Sequence, residues 1–571
     1  MKTIHYKLDG QQSSKKLLQI SVDFPVNAET TLLHLPSWRP GRYELGNFAK
    51  NVLNFSVFNE QKKKCSFHKT NKDTWLVETP NTQTITVQYS YYANELNAGS
   101  TFIDKELRYV NPVNCLLFAD GLTENPITLL VERPSNWQIA TSLTNENGLL
   151  HAANYDELTD SPFIISPNLQ SESYSVNNVP FTIWIVGHKP MDWESIIHDF
   201  QKFTQHQFDA FGEFPFTRYD FLIFSLPNQA YHGVEHLKST VITLGPSHAL
   251  FNSLYSELLG ISSHELYHAW NIKSIRPKAM LPYDLKGENY SRLGYIYEGV
   301  TTYMGDLFLL KSGFFTLNYY LHELSNQVQK HLDNPGRFNY SVAESSFDTW
   351  LDGYVPGVPG RKVSIYTEGC LLAFCLDVQI RKATNNKVGL DEVMKRLYYD
   401  FAVKGIGITE SDYQTILENT SGNSFQAFFD EYINGTNPYE SILIDCLDYL
   451  GLSLIQEPLR SYSKGKLGMR TIKSNNGISI NEIYPGSPAD IAGLCLNDQL
   501  IAINDHHISN DLDELLGYFE FDEKNVLIIR NQKMIQLTLP EVNRYFYQKH
   551  SVTIQKYPSV NQEKALLNWS K

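Results

Sequence analysis

Long apolar runs are missing from this chain. No stretch of about 18 apolar residues reads as a bilayer-spanning helix. The start, "MKTIHYKLDGQQSSKK", lacks the apolar core of a secretory signal. These absences predict a cytoplasmic protein with no membrane partner. Cysteine is scarce: six in 571 residues, with no CxxC pair. That excludes a disulfide-stapled scaffold and predicts reduced thiols. Positive charge is also short, with 48 Lys and Arg against 62 Asp and Glu and a net charge of -14. Such a field repels polyanions, and the brief basic stretch "QKKKCSFHKT" does not reverse it, so no nucleic-acid partner is expected. Charged residues are only 19% against 42% hydrophobic. General disorder is thereby excluded and globular domains are allowed. Internal repeats and low-complexity segments are absent as well.

What is present changes texture twice along the chain. Residues 1–165 hold short β-branched and aromatic runs such as "LLQISVDFP" and "TITVQYSYYA", divided by turn residues. They predict an N-terminal β-sandwich. Residues 166–445 turn helical, with apolar residues at helical spacing in "SHALFNSLYSELLGISSHELYHAW", "GYIYEGVTTYMGDLFLLKSG" and "GCLLAFCLDVQIRKAT". Residues 446–544 return to short strands, and residues 545–571 form a tail without clear pattern. The expected class is a multidomain α+β protein.

The chemistry concentrates in "SSHELYHAWNIKSIRP". On a helix, His264 and His268 lie one turn apart on one face and can point at one ion. Glu265 stands beside them, placed to hold a water and accept its proton. Imidazole nitrogens and a carboxylate suit zinc, and a catalytic site adds a third protein ligand while leaving one position open. "YIYEGVTTYMGD" supplies a candidate in Glu298, a carboxylate at the start of an apolar helix where burial would otherwise be costly. Thr302 and Asp306, one and two turns further on, are candidates for orienting the ligands.

In order along the chain, "LPSWRPGRY", "HGVEHLKST", "HELYHAWNIKSIRP", "YEGVTTYMGDL" and "SIYTEGCLLAFCLDVQIR" together resemble the glycyl aminopeptidase family of zinc peptidases. The resemblance extends over nearly the whole chain. It implies a thermolysin-like catalytic domain after the β-sandwich, a C-terminal PDZ domain, and one zinc ion per chain held by His264, His268 and Glu298, with Glu265 as general base. "YHGVEHLKST" resembles the glycine-and-glutamate element of zinc aminopeptidases, which implies that Glu235 pairs with the substrate amine. "SIYTEG" resembles the "YEKG" element of related enzymes and implies that Tyr366 stabilises the oxyanion; Glu368 departs from it where those relatives have Lys. The substrates implied are peptides with a free N-terminus, with a preference for a small first residue, Gly or Ala.

The segment "GISINEIYPGSPADIAGLCLNDQLIAIND" resembles a PDZ domain of the permuted bacterial type. Such domains take a C-terminal peptide by strand addition. "YLGLSL" then offers Leu450, Gly451 and Leu452 as the peptide-binding loop. Two other readings stay open at this level: a non-enzymatic, PDZ-containing peptide-binding scaffold on an inactive peptidase core, and a zinc endopeptidase or epoxide hydrolase on the same core. The intact set of His264, Glu265, His268 and Glu298 argues against the first, and Glu235 discriminates against the second, because an endopeptidase has no use for an amine-binding carboxylate.

Overall fold

The computed structural model describes residues 2–187, 191–355, 357–474, 477–541 and 543–571. The chain is multidomain and mixed α+β: a β-rich N-terminal region, a helical middle and a β-rich C-terminal domain. It divides into two compact units. One comprises residues 1–320, 335–449 and 564–571; the other comprises 321–334 and 450–563.

In the first unit, a seven-stranded sheet contains Ile4–Gln12, Leu17–Pro25 and Thr84–Tyr92 among its inner strands. Strand Leu17–Pro25 alternates half-buried and buried residues, the period-2 pattern that puts one face on a core. Two four-stranded sheets complete the β-rich region.

The helical expectation for residues 166–445 overlooks a five-stranded sheet. Its strands run, in spatial order, Leu169–Val176, Val179–Val186, Tyr219–Ser225, Ser239–Gly245 and Ala230–Glu235. The central strands Tyr219–Ser225 and Ser239–Gly245 are buried almost throughout. They read as continuous apolar runs, and periodicity alone does not tell such a run from a buried helix segment. The last strand of the order, Ala230–Glu235, pairs on one side only, antiparallel to Ser239–Gly245. Among the described residues no further strand pairs with its other edge. The helices Trp193–Phe211, Tyr255–Tyr267, Thr301–Lys311 and Ile365–Ala383 belong to the same unit.

The unpatterned residues after 545 form a strand, Gln548–Ile554, and a helix, Val560–Ser570. The helix returns its end to the first unit, where the buried Trp569 indole donates to the Tyr303 hydroxyl at 2.8 Å. In the second unit, a sheet ordered Met469–Ser474, Gly477–Ile483, Gln499–Ile503, Lys524–Arg530 and Lys533–Leu539 surrounds its own apolar core, including Ile480, Ile503, Leu516 and Ile528. Among the described residues, no helix is long and apolar enough to cross a membrane.

Candidate active site

The helix Tyr255–Tyr267 ends at the site. His264 lies in its last turn, and His268, the residue after it, keeps helical backbone angles. The two Nε2 atoms are 3.1 Å apart. Glu298 comes from a single π-helical turn, Tyr295–Val300, that runs into the helix Thr301–Lys311. Such turns are uncommon and mostly occur at functional sites. Here its neighbour is the helix Ile365–Ala383: a Cβ on Gly299 would lie 2.2 Å from the Gly369 Cα, so the two backbones touch and only glycine fits. That contact fixes Glu298 and the first turn of Ile365–Ala383 side by side.

Glu298 Oε2 lies 3.4 Å from His268 Nε2 and 3.7 Å from His264 Nε2. A tetrahedral zinc with bonds of about 2.0–2.1 Å has ligand-to-ligand edges of about 3.3 Å. The triangle therefore fits that ion in both donor type and size. The carbonyl oxygen of Asn271 sits 2.9 Å from His268 Nδ1. A carbonyl only accepts, so Nδ1 carries the proton and Nε2 keeps its lone pair for the centre. Asn271 also ties the ligand segments together, its amide donating to Ile296 O at 2.9 Å and to Thr301 Oγ1 at 3.0 Å. Sequence reasoning missed this residue, although it stands within the quoted motif. Thr302, expected to orient the ligands, donates to the backbone oxygen of Glu298 at 2.8 Å.

The charges agree with a cation site. Burial pushes Glu298 upward, but hydrogen bonds from His264 and His268 outweigh it and hold the carboxyl at about 2. Burial lowers His268, yet Glu298 raises it to about 9. Burial also raises Glu265 to about 8, with His268 opposing and Glu235 and Glu298 adding to the rise. Carboxylates and imidazoles thus hold protons among themselves where a divalent cation would take their place.

A second cluster shares His268. Ligand atoms of Glu235, Glu265 and His268 lie within 4.8 Å of one another. Glu235 ends the edge strand, and its side chain is buried with Oε1 lacking a hydrogen-bond partner among the described residues; Glu265 Oε2 lacks one as well. A Cβ on Gly233 would meet Glu265 Oε1 at 2.1 Å, so the strand lies directly against that carboxylate. Tyr366 opens the helix Ile365–Ala383, which Ser364 caps. Its ring stacks near His264 at a centroid distance of 6.4 Å, and it is 37% exposed. Glu368, the departure from the related element, is buried and accepts from Tyr439 at 2.5 Å.

Behind Glu235, His236 Nδ1 lies 2.9 Å from Asp160, which also accepts from Lys273 at 3.0 Å. The sequence assigned His236 no role, and here it packs in this buried network. In front, the N-terminal region contributes Trp38 and Tyr43, with Tyr43 5.3 Å from Tyr297.

Six of the nine expected site residues therefore converge. Leu450, Gly451 and Leu452 do not join a groove. Leu450 and Leu452 are buried, and Leu452 begins a strand paired with Gln548–Ile554 in a two-stranded ribbon apart from the larger sheet. The turn that enters that sheet's edge strand is Leu467–Gly468, with Gly468 at φ +66.

Comparisons with known proteins agree with this geometry. Residues 5–167 match the Peptidase M61 N-terminal domain, residues 257–372 match M61 glycyl aminopeptidase, and residues 479–531 match a PDZ domain. The crystal structure of an aminopeptidase N family protein from Idiomarina loihiensis superposes with a TM-score of 0.90 at 25% identity, covering 100% of both chains. An M1 zinc metallopeptidase from Deinococcus radiodurans gives 0.48 at 15% identity over 77% of this chain and 96% of that one. No curated protein matches the chain. Fold and site define a metallo-aminopeptidase whose ligand triangle suits zinc. Within that class, the matched stretches make its N-terminal and catalytic regions similar to those of the M61 family, with a PDZ-like domain following them.

Proposed function

We propose that the enzyme releases small N-terminal residues, Gly or Ala, from peptides. His264, His268 and Glu298 would hold one zinc ion, which when bound acts as a Lewis acid and brings the pKa of water toward neutrality. The remaining roles fall to the chain itself. Glu235 receives the substrate ammonium, because it is a buried carboxylate with an oxygen that no donor among the described residues satisfies. The free edge of Ala230–Glu235 takes the extended substrate backbone, and Gly233 lets it approach. Glu265 accepts a proton from the attacking water and passes it to the leaving nitrogen. Tyr366 donates its hydroxyl toward the carbonyl oxygen as negative charge develops there. Tyr43, Tyr297 and Tyr354 pack together within electrostatic reach of Glu235, which supports a small first residue.

The single observation that carries this reading is the pair of clusters sharing His268. A hydrolytic metal site needs only the first. The second places an unsatisfied carboxylate within a few ångströms of it, which neither an endopeptidase nor an epoxide hydrolase requires. A scaffold on an inactive core has no use for a complete ligand set. The decisive assay compares Gly- and Ala-anilides with N-acetylated peptides, with and without a chelator. Chelator-sensitive release from free amines alone is expected; equal cleavage of the acetylated peptides would overturn the assignment. For the PDZ domain, the edge strand Met469–Ser474 behind the Leu467–Gly468 turn suits a C-terminal peptide ligand.

A further inference from the structure

The N-terminal region sends one tight turn toward the catalytic cleft. Arg42 N–H donates to the Arg39 carbonyl at 3.2 Å, with Pro40 and Gly41 at the tip. Gly41 has φ +82, and a Cβ there would lie 2.6 Å from Glu235 Oε2. The tip thus touches the carboxylate assigned to the substrate amine, with an arginine on each side of it.

Arg39 is the anomaly. It is 5% exposed. Among the described residues no acidic side chain pairs with it, and its only hydrogen bond is a 3.5 Å contact to the Pro40 carbonyl. A guanidinium carries five donors, and a buried charge without a close ion-pair partner is costly; Glu235 acts on this one only from a longer range. Burial accordingly pulls its pKa down. The fold nevertheless makes room for it: a Cβ on Gly99 would come within 2.0 Å of its Cζ and Nη2. A cavity of about 610 Å³ opens on the group, lined also by Arg42 and Lys50. The acidic side chains on its wall are engaged, Glu44 with Arg42 and Glu95 with the Asn97 amide. Arg42 stacks over the Tyr354 ring at 4.7 Å, and the Tyr354 hydroxyl accepts from the Tyr43 N–H at 3.1 Å.

We propose that this cavity is a carboxylate subsite of the substrate cleft, with Arg39 and Arg42 as its cations, so that the enzyme favours short peptides whose α-carboxylate reaches it. The inference rests on the aminopeptidase reading for the position of the amine. The scale is suitable. Consecutive Cα atoms are 3.8 Å apart, so both arginines spring from within about 8 Å of the tip at Glu235, and two or three extended residues span about 7–11 Å. The same cations would also suit an acidic side chain near the substrate amine, and the test separates the two sources.

The zinc-loaded Glu265→Gln protein, unable to turn over, is titrated calorimetrically with Ala-Ala, Ala-Ala amide, Ala-Asp amide and Ala-Asn amide. Ala-Ala is expected to bind at least tenfold tighter than its amide, and adding Arg39→Gln or Arg42→Gln should bring that ratio close to one. A preference for Ala-Asp amide over Ala-Asn amide, lost in the same variants, would assign the subsite to a side-chain carboxylate instead. Arg42→Gln guards against misfolding of the buried Arg39 variant, because the Arg42 side chain is 34% exposed. If neither acid outbinds its neutral partner, or if the preference survives both substitutions, the subsite is refuted. Failure of the unmodified enzyme to release Ala from any of these peptides would instead refute the aminopeptidase reading, and the binding ratios would still report on the arginines.

Discussion

The two clusters that share His268 are built to opposite rules. In the ligand triangle, the donor atoms of His264, His268 and Glu298 lie 3.1–3.7 Å apart, His268 Nδ1 is anchored on a carbonyl, and the backbones beneath are locked glycine to glycine. On the amine side, Glu235 and Glu265 each keep a buried oxygen without a hydrogen-bond partner among the described residues. Fully satisfied groups hold a fixed geometry, whereas unsatisfied ones are reserved for something that arrives. The contrast teaches that one half of the site is a frame and the other half a receptor.

Substitutions can test that division. The largest effect should come from His268→Ala, which removes the member common to both clusters. Zinc content by atomic absorption should fall from stoichiometric to near zero and activity below detection; retention of the metal would separate the clusters and break the comparison. Next comes Glu265→Gln, which preserves shape but not basicity. It should keep zinc while kcat falls by about 10³-fold or more. Third is Glu235→Ala, expected to lower kcat/KM on Ala-anilide by about 10²-fold with zinc content unchanged, since a buried acceptor for a charged amine is lost. If Glu235→Ala instead strips the metal, Glu235 belongs to the frame and the receptor half has been misassigned.

How far the residues announce this arrangement depends on the distance between the partners. His264, Glu265 and His268 are legible because helical spacing alone brings them together. Glu298 is legible as a carboxylate on an apolar helix, but its π-helical turn is not, because that turn lies against Gly369, 70 residues away. The sheet beneath Glu235 was passed over for a helical segment, since its central strands are buried on both faces and lose the alternation that marks a strand. The segment around Leu450 imitates a peptide-binding loop, yet its strand is claimed by Gln548–Ile554 about 100 residues on. Arg39 shows the same limit. The glycine that cradles it is residue 99, and nothing near "RPGRY" signals that the guanidinium will be buried without an ion-pair partner among the described residues.

The smallest expected effect probes the frame at its edge. Asn271 reaches no substrate, and its contact with His268 is through a main-chain carbonyl that substitution leaves in place. What Asn271→Ala removes is the pair of side-chain hydrogen bonds to Ile296 O and Thr301 Oγ1, which tie the end of the histidine helix to the turn bearing Glu298. Loss of supporting hydrogen bonds around a metal site weakens affinity by about 10–100-fold, and the retained carbonyl places this case at the lower end. Competition with a chromophoric chelator should therefore show zinc binding about tenfold weaker, while kcat at saturating zinc changes little because Glu235 and Glu265 are untouched. A drop in kcat at full occupancy, with affinity intact, would mean that Asn271 positions the receptor half rather than the frame, and the boundary between the two would have to be redrawn through it.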